Sequence, residues 1–259
     1  MTSNAIIGFR INVMSFNENL FTGKTILIAG AGKGIGLGCA VMAAKYGANV
    51  IAVARTKNDL DKLTELYPEN ITPWVMDVTS DAFYKRLREL PTLDGLVNNA
   101  GINRVGAMEE QSSENIDAVI DLNIRTLYKI SQAAITPMKQ SKCASIVNMS
   151  SQMGFVGSPG RTLYCMSKHA VEGVTKAMAV ELAEYNIRVN TVAPTFVLTP
   201  MTEPMFEDET FKNFVFNMIP LGRLAKVEDI ANSCTFLLSD LASMITGTSI
   251  KVDGGWTAH

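Results

Sequence analysis

Seven short β-rich runs recur along the chain, and several are apolar almost throughout instead of alternating. They are KTILIAG (24–30), NVIAVA (49–54), ITPWVMD (71–77), DGLVNNA (94–100), ASIVNMS (144–150), IRVNTVA (187–193) and TSIKVD (248–253). A strand with one face in water alternates apolar and polar residues, so runs without alternation belong to parallel strands covered on both faces. Helical stretches separate them, among them IGLGCAVMAAKYG (35–47), closed by Gly47, and SKHAVEGVTKAMAVELAEY (167–185). Strand, helix and strand in repetition give right-handed crossovers in one sheet. The fold class expected is α/β: a single-domain, doubly wound parallel sheet of about seven strands, Rossmann-type, with helices on both faces.

Composition bounds the partners. Of 259 residues 47% are apolar, enough for a large core, and 23 basic residues stand against 25 acidic ones without long like-sign blocks. That balance favours neither nucleic acid nor an anionic membrane, and points to a small-molecule ligand. Cys39, Cys143, Cys165 and Cys234 form no CxxC pair, and His169 and His259 are the only imidazoles, so no metal site is expected. No run of eighteen apolar residues occurs and the N-terminus lacks a leader pattern, which makes a cytoplasmic location the expectation. Met14 opens MSFNENLFTGK, which reads like a start of its own. Residues 1–18 are therefore expected to be a flexible extension and residues 19–259 one domain.

In such sheets ligands lie beyond the carboxyl ends of the strands. GAGKGIG, Gly30 to Gly36, occupies that place after the first run, at the mouth of the first helix. Glycine lets backbone approach a phosphate, and the free N–H groups of a helix start attract its charge. Gly30, Gly34 and Gly36 give G-x-x-x-G-x-G, with Gly32, Lys33 and Ile35 between them, and neither G-x-G-x-x-G nor a triphosphate-binding loop is present. The type of dinucleotide is legible after the second run, where a carboxylate would hold a ribose 2′-hydroxyl. The eighteenth residue after Gly36 is Ala54, followed by Arg55 and Thr56. A guanidinium where a carboxylate is missing suits a 2′-phosphate, and Lys33 adds a second cation, so NADP(H) is expected over NAD(H).

These residues resemble the short-chain dehydrogenase/reductase superfamily from about Leu20 to Trp256. The glycine motif is joined by Asp77, NNAG (98–101), Asn123, Ser151, the Tyr164-x-x-x-Lys168 pair, Pro194 and VDGG (252–255). Ala29 stands where threonine is usual, and Thr195 follows Pro194 where glycine is commoner, the latter resembling the tetrameric carbonyl reductase and L-xylulose reductase branch. The resemblance implies a homotetramer. It also implies cofactor contacts from Asp77 and Val78 at adenine, from Asn99, Ala100 and Gly101, from Tyr164 and Lys168, and from Pro194, Val197 and Thr199. A plain helix-capping role for Asp77 stays open.

Tyr164 and Lys168 lie four apart, so both project from one helix face, and a nearby ammonium is expected to pull the phenol toward working pH. Ser151 ends the preceding strand, thirteen residues upstream, where its hydroxyl can meet a substrate oxygen. Asn123 resembles the helix-kinking asparagine that holds a water for proton relay. The set Asn123, Ser151, Tyr164 and Lys168 implies hydride transfer between NADP(H) and a small carbonyl or alcohol compound, with Tyr164 as general acid and base. Substrate contacts are expected from Ser151, Gln152, Arg161 and Tyr164. His169 points about 100° away from Lys168 around the helix, and with Cys165 it is read as packing or solvated. A 3-oxoacyl thioester reductase is the enzymatic alternative, a non-catalytic NADP-binding sensor the other. MTEPMFEDETFKNFVFN (201–217) is a candidate lid.

Overall fold

The computed structural model describes residues 17–199 and 202–258. All but the last two residues of the expected extension, and Met201 of the candidate lid, lie outside that range. The strands are β1 (Thr25–Ala29), β2 (Asn49–Ala54), β3 (Ile71–Val75), β4 (Gly95–Asn98), β5 (Ala144–Met149), β6 (Ile187–Pro194) and β7 (Ser249–Val252). All pair in parallel, in the order β3-β2-β1-β4-β5-β6-β7. The order reverses between β1 and β4, and a crevice opens there at the strands' carboxyl ends.

Helices cover both faces. One core packs α1 (Gly34–Lys45) and α8 (Val227–Leu238) on Ile26, Ile28, Val97 and Val147. The other packs α3 (Asp81–Arg88), α5 (Leu127–Met138) and α6 (Thr162–Leu182) on Leu27, Leu96, Ile146 and Val189. The two sets alternate along each strand, so every side chain of β4 and β5 is buried and the sequence shows no polar face. At the edge, β3 exposes Thr72, Pro73 and Val75, and the missing N–H of Pro73 is tolerated there.

Two features differ from the sequence reading. Helix α6 begins at Thr162 instead of 167, because the chain turns through Gly160 at φ +67° and the next turn already buries Leu163. Strand β4 ends at Asn98, since the Asn99 amide turns to donate to the Gly30 carbonyl at 2.9 Å. Between α4 (Ser113–Ile120) and α5 the helix widens into a π turn, Asp121–Thr126, around Asn123, where the resemblance implied a helix-kinking asparagine. The lid segment folds as a short 3-10 turn and α7 (Glu209–Met218), with Val215 buried and Phe214 exposed. The remaining helix, α2 (Lys57–Leu66), crosses from β2 to β3.

Candidate active site

The glycine turn is built by close backbone approach. A Cβ on Gly36 would sit 2.0 Å from the Gly30 carbonyl oxygen and 2.6 Å from Asn99 Nδ2. Gly30 and Gly34 hold φ of +87° and +55°, where side chains are strained. Helix α1 starts without a side-chain cap and with no acid in its first turn, so its first N–H groups and the positive end of its dipole stand free for an anion. These residues fit a pyrophosphate. Thr199 comes from the loop after β6 and would lie 3.5 Å from a Cβ on Gly34. That loop starts at Pro194, pairs Val197 with Ala225, and buries Val197.

The ends of β2 and β3 form a separate flank. Arg55 and Thr56 are exposed, and Ala54 Cβ would stand 3.2 Å from a Cβ on Gly32. Lys33, expected to be a second cation, reaches this flank and lies 3.6 Å from Asp59. Asp77 accepts from the Thr79 N–H at 2.9 Å and the Thr79 hydroxyl at 2.8 Å; the backbone N–H is the main reason its carboxyl sits below the usual range. Val78 is buried among core residues, and Ile35 is half-buried against the opposite core.

Residues 98–102 tie the glycine turn to α6. Asn99 reaches back to Gly30, and a Cβ on Gly101 would lie 3.2 Å from Asn123 Oδ1 and 3.9 Å from Lys168 Nζ. Asn123 is buried. Its Oδ1 accepts from the Ile102 N–H at 2.8 Å, and its Nδ2 donates to the Ile102 carbonyl at 2.8 Å and Ser167 Oγ at 3.0 Å. Both amide hydrogens are therefore taken by protein.

Lys168 is buried and donates to the Met149 carbonyl at 2.8 Å, with Nζ 5.4 Å from the centre of the Tyr164 ring. Burial pulls its pKa down to about 8, and the buried Glu172 carboxylate opposes that. Glu172 is held by the Thr191 hydroxyl at 3.0 Å and the Ser249 hydroxyl at 3.4 Å. The sequence reading missed it, although its place four residues after Lys168 on one helix face was the available signal. Tyr164 is raised, contrary to expectation. Burial is the main cause, and the Ser151 hydroxyl and Arg161 lower it. Ser151 itself is buried and accepts from the Met153 N–H at 3.2 Å.

Beside this group a cavity of about 280 Å³ is lined by Met153, Arg161, Phe196, Phe211, Phe214 and Trp256, together with Val105, Ser158 and Pro159. Of the expected substrate contacts only Arg161 is in its wall. Ser151 is linked to it through Met153, Tyr164 stands one helical turn beyond Arg161, and Gln152 is buried in the turn after β5. His169 is exposed, with Nδ1 2.9 Å from the Cys165 carbonyl oxygen. A larger depression of about 550 Å³, between Thr195, Arg223, Lys251 and Asp253, holds none of the expected site residues. Among the described residues no helix is long and apolar enough to cross a membrane.

Residues 30–257 match the family described as enoyl-(acyl carrier protein) reductase. The chain is 41% identical to the 3-oxoacyl-(acyl-carrier-protein) reductase of Thermotoga maritima over 90% of its own length and 97% of that protein. It is 38% identical to the L-xylulose reductase of Bos taurus over 91% and 97%. A candidate NAD(P)-dependent gluconate 5-dehydrogenase of Beutenbergia cavernae, solved with NADP bound at low occupancy, superposes with a TM-score of 0.87 at 33% identity, over 94% of this chain and 100% of the other.

Proposed function

We propose that this chain, which belongs to the short-chain dehydrogenase/reductase family, is an NADP(H)-dependent oxidoreductase of a small ketone, sugar or polyol. The single observation that carries the reading is the joint made by residues 98–102, which brings an uncapped helix start suited to pyrophosphate against Tyr164, Lys168 and Ser151. The bound cofactor supplies or accepts the hydride. Gly30, Gly32, Lys33, Gly34, Ile35 and Gly36 hold its pyrophosphate through backbone N–H groups, and Arg55, Thr56, Asp77 and Val78 its adenosine end. Asn99, Ala100, Gly101, Lys168, Pro194, Val197 and Thr199 take the nicotinamide half.

In reduction the Ser151 hydroxyl donates a hydrogen bond to the substrate carbonyl oxygen, and Tyr164 gives its proton to that oxygen as negative charge develops there. A phenol raised by burial keeps its proton at neutral pH and is ready as an acid. Lys168 sets the positive charge that steadies the tyrosinate left behind. Asn123 acts by placement, holding the loop after β4 against Ser167 of α6. The reading includes a cytoplasmic location and a homotetramer, the latter supported by Met166 and Val180, exposed on one side of α6. The test is loss of NADPH absorbance with a panel of sugars, diketones, quinones and acyl thioesters. Selective turnover of acyl thioesters would favour the 3-oxoacyl thioester reading that the Thermotoga relative supports, and tight NADPH binding with no turnover would favour a sensor.

Two results follow from the charges. Lys168 is ammonium below about pH 8 and neutral above it, so kcat/KM for NADPH falls as pH rises through that region. Glu172→Gln removes the charge that holds the ammonium, and the alkaline limb moves to lower pH; a limb unmoved or moved upward contradicts the assignment. Ala54→Asp with Arg55→Ser places a carboxylate beside Gly32 and removes the exposed cation. Preference for NADPH over NADH should drop by about tenfold or more, measured as the ratio of the two kcat/KM values.

A further inference from the structure

Two arginines of the described chain are buried, and the fold treats them differently. Arg188, on β6, donates to the Leu237 carbonyl at 2.8 Å, the Ser239 carbonyl at 3.0 Å and the Ile245 carbonyl at 3.4 Å. Its Nη groups meet three carbonyl acceptors, two at the end of α8 and one in the chain that follows, although Nε is left without a partner. Arg161 is 8% exposed and has nothing of the kind. Its guanidinium lies 5.8 Å from the centre of the Phe196 ring, and among the described residues it has no hydrogen-bond acceptor and no carboxylate partner. The titratable groups acting on it are Tyr164 and Cys165, neither of them a carboxylate, and burial lowers its hold on the proton.

An unpaired guanidinium in an aromatic pocket is costly unless something completes it. Its fork of donors matches a carboxylate in a planar, two-pronged contact. The cavity it lines is the one beside Tyr164, closed by Phe196, Phe211 and Trp256, whose rings pack at 5.5 and 5.8 Å. About 280 Å³ is near the lower end of ligand sites and suits a compact molecule. We infer that Arg161 anchors a carboxylate of the substrate, which narrows the small carbonyl and polyol compounds to keto acids and sugar acids. The inference rests on the reductase reading above, since it assumes that the carbonyl faces Tyr164 while the carboxylate meets Arg161. A neutral ketose, a polyol or an acyl thioester offers the guanidinium oxygen acceptors but no carboxylate to balance its charge.

The test separates the anion site from turnover. L-Tartrate and its neutral counterpart L-threitol are titrated calorimetrically into the NADP-loaded protein, and NADPH oxidation is followed with 5-ketogluconate against L-sorbose. The expected result is a preference for the acid of about tenfold or more in each pair, closing to within about twofold in Arg161→Met and partly kept in Arg161→Lys. Thermal melting of each variant shows whether it is folded, and the wild-type preference stands as a test even if a variant is not. Equal binding of tartrate and threitol by the wild type overturns the inference. So does a tartrate preference that survives in folded Arg161→Met. If neutral ketones are reduced as well as acids, the reductase reading stands and the anion site falls. If tartrate binding depends on Arg161 but no ketone oxidises NADPH, the anion site stands and the reductase reading falls.

Discussion

Replacing Tyr164 by phenylalanine lowers turnover by about a hundredfold or more, about 2.7 kcal/mol of barrier, while NADPH affinity stays within about twofold of wild type. The ring is kept, so the packing around it and the Lys168 ammonium 5.4 Å from its centre survive, and only the proton donor is lost. No other described residue can replace it as an acid. Ser151 is too weak an acid, Lys168 is engaged with the Met149 carbonyl, and His169 is exposed with its ring turned to the Cys165 carbonyl. The effect should therefore fall on kcat, measured by single-turnover oxidation of NADPH, with cofactor affinity read by fluorescence titration. A Tyr164→Phe protein with wild-type turnover would remove the proton-transfer assignment entirely. Ser151→Ala should be milder, since the phenol itself still donates to the substrate oxygen.

The sheet was legible because both of its faces are buried. With two cores drawing alternate residues from the same strands, the sequence cannot show polar positions along β4 or β5, and continuous apolar runs mark strands of this kind. The glycine turn was equally legible, as close approach between Gly36 and Gly30 admits no other residue type. What escaped depended on pairings between distant segments. That Lys33 meets Asp59 is decided by the start of α2, twenty-six residues on, and an i, i+4 rule cannot find it. The Tyr164 shift was misjudged for a similar reason. Helix spacing places Lys168 near the ring, yet the ammonium is drawn to a carbonyl at the end of β5, a partner only the packed sheet supplies. Arg161 was legible as a substrate candidate, but its lack of a partner is a property of the folded pocket. Glu172 lay within reach of the spacing argument applied to Lys168, and its burial between β6 and β7 gives it weight.

Gly36→Ala is expected to abolish dinucleotide binding and destabilise the fold, whereas Gly38→Ala, two residues further along α1, should only destabilise. The contrast lies in what each new methyl meets. At Gly36 the nearest atom is the backbone carbonyl oxygen of Gly30 at 2.0 Å, with Asn99 Nδ2 at 2.6 Å and the Gly30 carbonyl carbon at 2.8 Å, so the start of α1 must move off the end of β1. That start carries the uncapped N–H groups, and a shift of an ångström spoils their aim at a pyrophosphate. At Gly38 the nearest atom is Val227 Cγ1 at 2.2 Å, the end of a side chain on α8, which can give way without disturbing the turn. Overpacking of this kind costs about 1–3 kcal/mol, which lowers the melting temperature by about 2–12 °C in a domain of this size. Both variants should therefore melt early, but only Gly36→Ala should lose NADPH affinity, by about tenfold or more, in a fluorescence titration. If Gly36→Ala binds NADPH as tightly as Gly38→Ala does, the glycine turn does not hold the cofactor, since the one displacement that must move the helix start would then have no effect on the ligand assigned to it.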